Sequence, residues 1–182
     1  LNKSIGRQDQ YLCALGGINF LSFNKNGIIK QNSYPLVSKA ISQYATELYL
    51  VNTSVSRSAS DQLSAIRGDV DSFSSIEKIL EIAENFISEV KSLTDINLII
   101  EKLDFYIRKS WEIKRNMKGV MNNRLEEISE NLTDSGFDVI KILGAGGGGF
   151  LLLVINKNNL KKVNNELSKI KFININFNFE NK

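Results

Sequence analysis

Six consecutive positions, Gly144-Ala145-Gly146-Gly147-Gly148-Gly149, hold five glycines, and the unbroken apolar run Phe150-Leu151-Leu152-Leu153-Val154-Ile155 follows directly. This pairing constrains the fold more than any other feature of the chain. The glycines contain the GxGxxG spacing of a dinucleotide site, but that site needs a helix after the glycines so that its amides face a pyrophosphate. An apolar run of six has strand length and draws no helical face. No Walker lysine follows either. The segment therefore reads as strand, glycine loop, strand, with the strands at about 138–143 and 148–155. A tight turn with a close sheet–helix contact needs one or two glycines, whereas five allow backbone amides to approach a ligand and form a concave anion nest.

The rest of the chain supplies elements for an α+β layer fold. Residues 6–15 look helical and end at the Gly16-Gly17 pair. Ile18–Phe23 and Gly27–Gln31 flank Asn24-Lys25-Asn26-Gly27 and read as a hairpin. Pro35, the sole proline, marks a boundary, with a short helix expected over 38–46. Leu48-Tyr49-Leu50-Val51 is a buried-strand candidate. A capping-box-like start at Ser58 and Asp61 predicts a helix over about 59–67. The stripe Phe73, Ile76, Ile79, Leu80, Ala83, Phe86, Ile87, Val90 predicts a second helix. Ile96, Ile99, Leu103, Tyr106, Ile107 and Trp111 predict a third, capped by Thr94 or Asp95. A fourth carries Met121, Leu125, Ile128 and Leu132 between Gly119 and Gly136. After the glycine loop, a helix with Leu160, Val163, Leu167 and Ile170 precedes a strand at about 172–179. Helices on one face of a sheet are expected, in an order compatible with a ferredoxin-like sheet bearing inserted helices.

Composition narrows the function. A net charge of +3 with interspersed acids does not argue for nucleic acid. One cysteine excludes an internal disulfide and a cysteine-built metal site. No apolar run spans a membrane and no signal peptide is evident, so a cytoplasmic protein is the default. Without a histidine, proton chemistry near neutral pH falls first to Asp9, between Gln8 and Gln10 and two positions after Arg7. Asp9 reads equally as a helix cap or a surface charge. Thr53, Ser54, Ser56, Arg57 and Ser58 could form an anion site or a capped, solvated turn. Lys114 either snorkels from a helix end or reaches a bound phosphate. Cys13 reads as a small core residue.

Three segments together resemble the GHMP small-molecule kinases, most closely the heptose-phosphate kinase branch. GRQDQYLCALGGINFLSF (6–23) resembles the family's aspartate motif. LYLVNTSVSRSA (48–59) resembles its strand-and-arginine segment, and IKILGAGGGGFLLLVI (140–155) its C-terminal glycine motif. The resemblance implies an ATP-dependent sugar kinase acting on the anomeric hydroxyl of D-glycero-D-manno-heptose 7-phosphate or a related sugar. Asp9 matches the catalytic aspartate. Arg7, Gln8, Gln10, Arg57, Lys114 and the loop glycines Gly144, Gly146, Gly147 and Gly148 would face substrate. No metal ligands are assigned. The family's upstream Gly-Ser loop, which holds ATP and helps bind Mg2+, has no counterpart in these 182 residues. Residues 1–37 are therefore expected to be the tail of the nucleotide domain and 38–182 the C-terminal domain. ATP and Mg2+ would be held mainly by an N-terminal half or a second chain, without which this chain would be inactive. A non-catalytic sugar-phosphate-binding or regulatory module, and a fucose- or galactose-type kinase, are the alternatives.

Overall fold

The computed structural model describes residues 8–15, 19–24, 26–56, 58, 66, 69–155 and 172–174, with only the backbone of residues 9 and 172–174. The described residues begin with helix α1 (Gln8–Leu15) and the antiparallel hairpin β1 (Asn19–Phe23) and β2 (Ile29–Ser33). Gly27 supplies the left-handed turn residue, at φ 83°. Helix α2 (Pro35–Tyr44) leads through a 3-10 turn (Ala45–Glu47) into β3 (Leu48–Asn52). Pro35 does mark a boundary, but it opens this helix instead of preceding it. At the first helical position its missing N–H is one that would lack an intrahelical partner anyway.

Among the described residues three helices follow: α3 (Val70–Val90), α4 (Ile96–Lys114) and α5 (Asn123–Asp134). Each start is fixed by a side chain that accepts from otherwise unpaired amides: Asp69 from Ser72, Asp95 from Asn97 and Leu98, and Asn122 from Leu125. The stripe expected on α3 divides. Ile79, Phe86 and Val90 pack on the core, whereas Phe73, Ile76 and Leu80 are exposed. The α4 stripe is buried at Ile99, Leu103, Tyr106 and Trp111.

Strands β4 (Phe137–Ile142), β5 (Phe150–Ile155) and β6 (Phe172–Asn174) complete a four-stranded sheet in the order β4-β5-β3-β6, with every neighbouring pair antiparallel. Successive strand residues face opposite sides, and both sides of this sheet are covered. Leu151 and Leu153 join Val51, Phe137 and Ile142 in a cluster with Trp111, Val120, Leu125 and Leu132. Leu152 and Val154 join Leu48 and Ile140 in a second cluster with Tyr44 and Leu103. The expectation of helices on one face is thereby corrected: β5 reads as a continuous apolar run because it is buried on both sides. Wholly buried side chains such as Phe137, Leu125, Leu151 and Leu153 each contribute about 1.5–3 kcal/mol.

A polar bridge fastens α2 and β4 to α4. The Tyr44 hydroxyl donates to Asp104, and Arg108 pairs with Asp104 at 2.8 Å and Asp138 at 3.0 Å. Burial and the adjoining Asp104 carboxylate push the Tyr44 pKa above its ordinary value. No helix among the described residues is long and apolar enough to cross a membrane. The Gly16-Gly17 pair, most of the helix expected over 59–67 and the helix carrying Leu160 to Ile170 lie outside the described residues.

Candidate functional site

The glycine loop joins β4 to β5, as its flanking apolar runs imply. At its neck the Leu143 amide donates to the Phe150 carbonyl at 2.9 Å. At its middle the Gly147 amide donates to the Val120 carbonyl at 2.8 Å, and the Asn122 side-chain amide donates to the Gly147 carbonyl at 3.2 Å. At its far end the Gly149 amide donates to the Val55 carbonyl at 3.0 Å. The Gly149 carbonyl in turn accepts from the Thr53 amide at 2.9 Å and hydroxyl at 2.8 Å.

Two glycines are required by these contacts. A Cβ on Gly146 would lie 2.9 Å from the Val120 Cα, and one on Gly148 would lie 2.2 Å from the Val55 carbonyl oxygen. Some of the amides expected to face a ligand are therefore committed to the fold, namely those of Gly147 and Gly149. The amides of Ala145, Gly146 and Gly148 have no protein acceptor among the described residues.

Those three residues border an open cavity of about 460 Å³, opposite Asn52, Ser54 and Ser56 at the end of β3. The Asn52 side chain accepts from the Ser54 amide at 2.8 Å, and Ser54 is held at φ 55°. No charged side chain among the described residues lines this cavity. Amides and hydroxyls there can bind hydroxyl or phosphate oxygens, but a proton acceptor must come from elsewhere. A larger cavity of about 580 Å³ lies between α4, α5 and β4. Its arginines are engaged with its own acids, Arg108 with Asp138 and Arg115 with Glu126.

The residues expected to form a site are distributed unevenly. Asp9 lies in the first turn of α1, and its side chain is outside the described atoms. Gln8 and Gln10 are exposed on α1, and neither lines the cavity. Helix α1 meets β1 through Tyr11 and Phe23, whose rings stand 5.8 Å apart. Arg7 and Arg57 lie outside the described residues. Cys13 is exposed and not the core residue expected, because every described side chain of α1 is exposed. Thr53 is buried and spent on the loop, while Ser54 and Ser56 are exposed at the cavity.

Lys114, the last residue of α4, donates from Nζ to the Gly144 carbonyl at 2.7 Å and the Ile142 carbonyl at 3.4 Å. Burial, and secondarily the charge of Lys141, lower its pKa to about 8. Lys141 is itself lowered by burial. Val55, Val120 and Asn122 were not anticipated as loop supports. Asn122 carries a cap signal, but its bond to Gly147 exists only through the tertiary fold, and the two valines act through their main chain.

Comparison with known proteins agrees with this picture. No protein-family model matches the chain. D-glycero-alpha-D-manno-heptose 7-phosphate kinase from Campylobacter jejuni is 28% identical over 154 residues, covering 83% of this chain and 44% of that protein, in its C-terminal part. A crystal structure of a protein described as a candidate sugar kinase, also from Campylobacter jejuni, matches with a TM-score of 0.54 at 22% identity. That match covers 96% of this chain and 49% of the other. The chain thus spans about half the length of the proteins it matches. At that identity the structural likeness establishes a shared mixed α/β fold with small antiparallel sheets. The resemblance carried by segments 6–23, 48–59 and 140–155 is therefore met from outside the sequence: the chain is similar to the C-terminal part of a heptose-phosphate kinase.

Proposed function

We propose that this chain forms the C-terminal, substrate-side part of an ATP-dependent sugar kinase. Its reaction would phosphorylate the anomeric hydroxyl of D-glycero-D-manno-heptose 7-phosphate or a related sugar. The observation that carries this reading is the meeting of two of the three resembling segments around one cavity: Thr53 grips Gly149 across 96 positions of sequence. The relative named for heptose 7-phosphate supports the choice of sugar. The strand order β4-β5-β3-β6 supports a ferredoxin-like C-terminal domain over 38–182, with 1–37 as the tail of a nucleotide domain. A cytoplasmic setting goes with this reading.

On this reading the free amides of Ala145, Gly146 and Gly148, with Ser54 and Ser56, bind sugar or phosphate oxygens, and Arg57 adds the charge that the described lining lacks. Gln8 and Gln10 do not line this cavity, so their role and that of Arg7 is to orient the sugar from its far side, toward the nucleotide. The anomeric oxygen attacks the γ-phosphorus of ATP, the bond to the β-phosphate oxygen breaks, and ADP leaves with the electron pair. The hydroxyl proton passes to the Asp9 carboxylate. Phosphoryl transfer asks little of a protein beyond positioning and charge stabilisation, so one carboxylate suffices as base. The described residues contain no group of three or more His, Cys, Asp or Glu placed to hold a metal. On this reading Mg2+ and ATP are held mainly by an N-terminal half or by another polypeptide.

A kinase assay with ATP and a panel of heptose, fucose and galactose substrates tests the proposal. The 182-residue protein should turn over none of them alone and should phosphorylate a heptose phosphate when joined to an ATP-binding half. In that setting Asp9→Asn should abolish turnover and leave folding intact. Unchanged turnover in Asp9→Asn would point instead to a binding or regulatory module. Robust turnover by the isolated chain would refute its dependence on a second half.

A further inference from the structure

We infer that Lys114 is a positioning residue of the glycine loop. Its ammonium holds the carbonyls on either side of Leu143 and so sets where the amides of Ala145 and Gly146 point. This role rests on the reading that the loop borders the binding cavity, but the geometry that defines it does not.

Strand β4 lies at the edge of the sheet, where main-chain groups facing outward lack a strand partner. The Leu143 amide is turned inward, onto Phe150 of β5. The flanking carbonyls of Ile142 and Gly144 accept from the Lys114 ammonium. The carbonyl of buried Ile142 needs such a partner, and the same ammonium also takes the exposed carbonyl of Gly144. None of the ion pairs among the described residues includes Lys114. The charge of Lys141 repels it. A lysine kept partly desolvated beside another cation, with its donors on two loop carbonyls, is placed to hold main chain.

The same helix end also fixes the middle of the loop. The Met117 amide donates to the Lys114 carbonyl at 3.1 Å, and the Val120 amide donates to the Met117 carbonyl at 3.1 Å. Val120 then accepts from Gly147. The C-terminal end of α4 therefore places both the first residue of the loop and its middle. The far end, at Gly149, is held independently by Thr53 and Val55.

Amide exchange followed by NMR on the 182-residue protein without ligand, together with calorimetric binding of D-glycero-D-manno-heptose 7-phosphate and of inorganic phosphate, tests the assignment. In Lys114→Met the Leu143 amide should exchange about tenfold faster, on the scale of one lost hydrogen bond to a charged group, whereas the Gly147 amide, held through main chain that the substitution keeps, should change little. The Gly149 amide should be unchanged. Lys114→Arg, which keeps charge and donors, should restore most of the protection. Sugar-phosphate affinity should fall about tenfold in Lys114→Met and recover in Lys114→Arg. If Lys114→Met does not fold, Lys114→Gln, neutral and too short to span the gap, is read by the same criteria. Weakened binding with unaltered exchange would make Lys114 a ligand of the anion and overturn the inference, as would no change in either measurement. If the wild-type protein binds neither compound, the functional proposal fails while the exchange data still decide the role of Lys114.

Discussion

Replacing Gly148 with alanine probes the contact on which the cavity depends. Gly148 is not among the residues with positive φ, so its backbone suits any L-residue and the requirement for glycine is one of space. The added Cβ would lie 2.2 Å from the Val55 carbonyl oxygen, 2.9 Å from its carbonyl carbon and 3.3 Å from its Cγ1. Unstrained carbon contacts lie at roughly 3.5–4.0 Å, and the obstacle is main chain that cannot rotate aside. Relief requires the loop to move away from residues 53–55. That breaks the Gly149–Val55 bond of 3.0 Å and stretches the two Thr53–Gly149 bonds. Overpacking of this kind costs about 1–3 kcal/mol, and each bond lost adds about 0.5–1.5 kcal/mol. The total is about 1.5–4.5 kcal/mol, a large part of the roughly 5–15 kcal/mol that holds a domain folded. Gly144→Ala is the matched control: no atom lies within 4 Å of its Cβ, but its φ of +71° is left-handed, which costs about 1–2 kcal/mol. Urea unfolding followed by the fluorescence of the buried Trp111 compares the two variants. Gly148→Ala no less stable than Gly144→Ala would refute the reasoning.

Two further outcomes follow from the same structure. Asp95→Ala removes the acceptor for the amides of Asn97 at 2.8 Å and Leu98 at 3.3 Å, and should lower stability by about 1 kcal/mol in urea unfolding; no loss would mean the cap is replaced by solvent. The second concerns pH. Lys114 titrates at about 8 in the folded protein, below the ordinary lysine value of 10.5, so between these values the unfolded chain binds more protons and stability rises with pH. Lys141, also lowered, acts in the same sense. Tyr44, raised above its ordinary value of 10.0, acts in the opposite sense: it favours the folded state below pH 10, and that contribution is lost above it. Urea midpoints should therefore climb from about pH 8 to about pH 10, with a smaller climb in Lys114→Met. A flat wild-type profile would contradict this.

Much of the architecture was legible in the residues because its signals are local. Three-four spacing marked α4 and α5, Thr94 or Asp95 announced a helix start that the structure assigns to Asp95, and the apolar run after Gly149 excluded a Rossmann turn. The α3 stripe misled at Phe73, Ile76 and Leu80, since periodicity shows that a helix has an apolar face but not what covers it. Pro35 was correctly read as punctuation, yet it opens a helix, because a proline that stops one segment also suits the first turn of the next. The candidate site was legible only in part. The glycines and the Thr53–Ser56 turn were evident, but their mutual contact was not.

Among the described residues, the sequence by itself determined where helices, strands and the glycine loop lie, since these depend on spacing, caps and turn residues within a few positions of each other. Tertiary structure alone decided that β5 lies between β4 and β3, that Val55 and Val120 come so close that Gly148 and Gly146 have no room for a side chain, and that Lys114 points at the start of the loop. The physical reason is that sheet pairing joins residues as far apart as Thr53 and Gly149 through main-chain carbonyls and amides, which every residue carries and no side-chain pattern records.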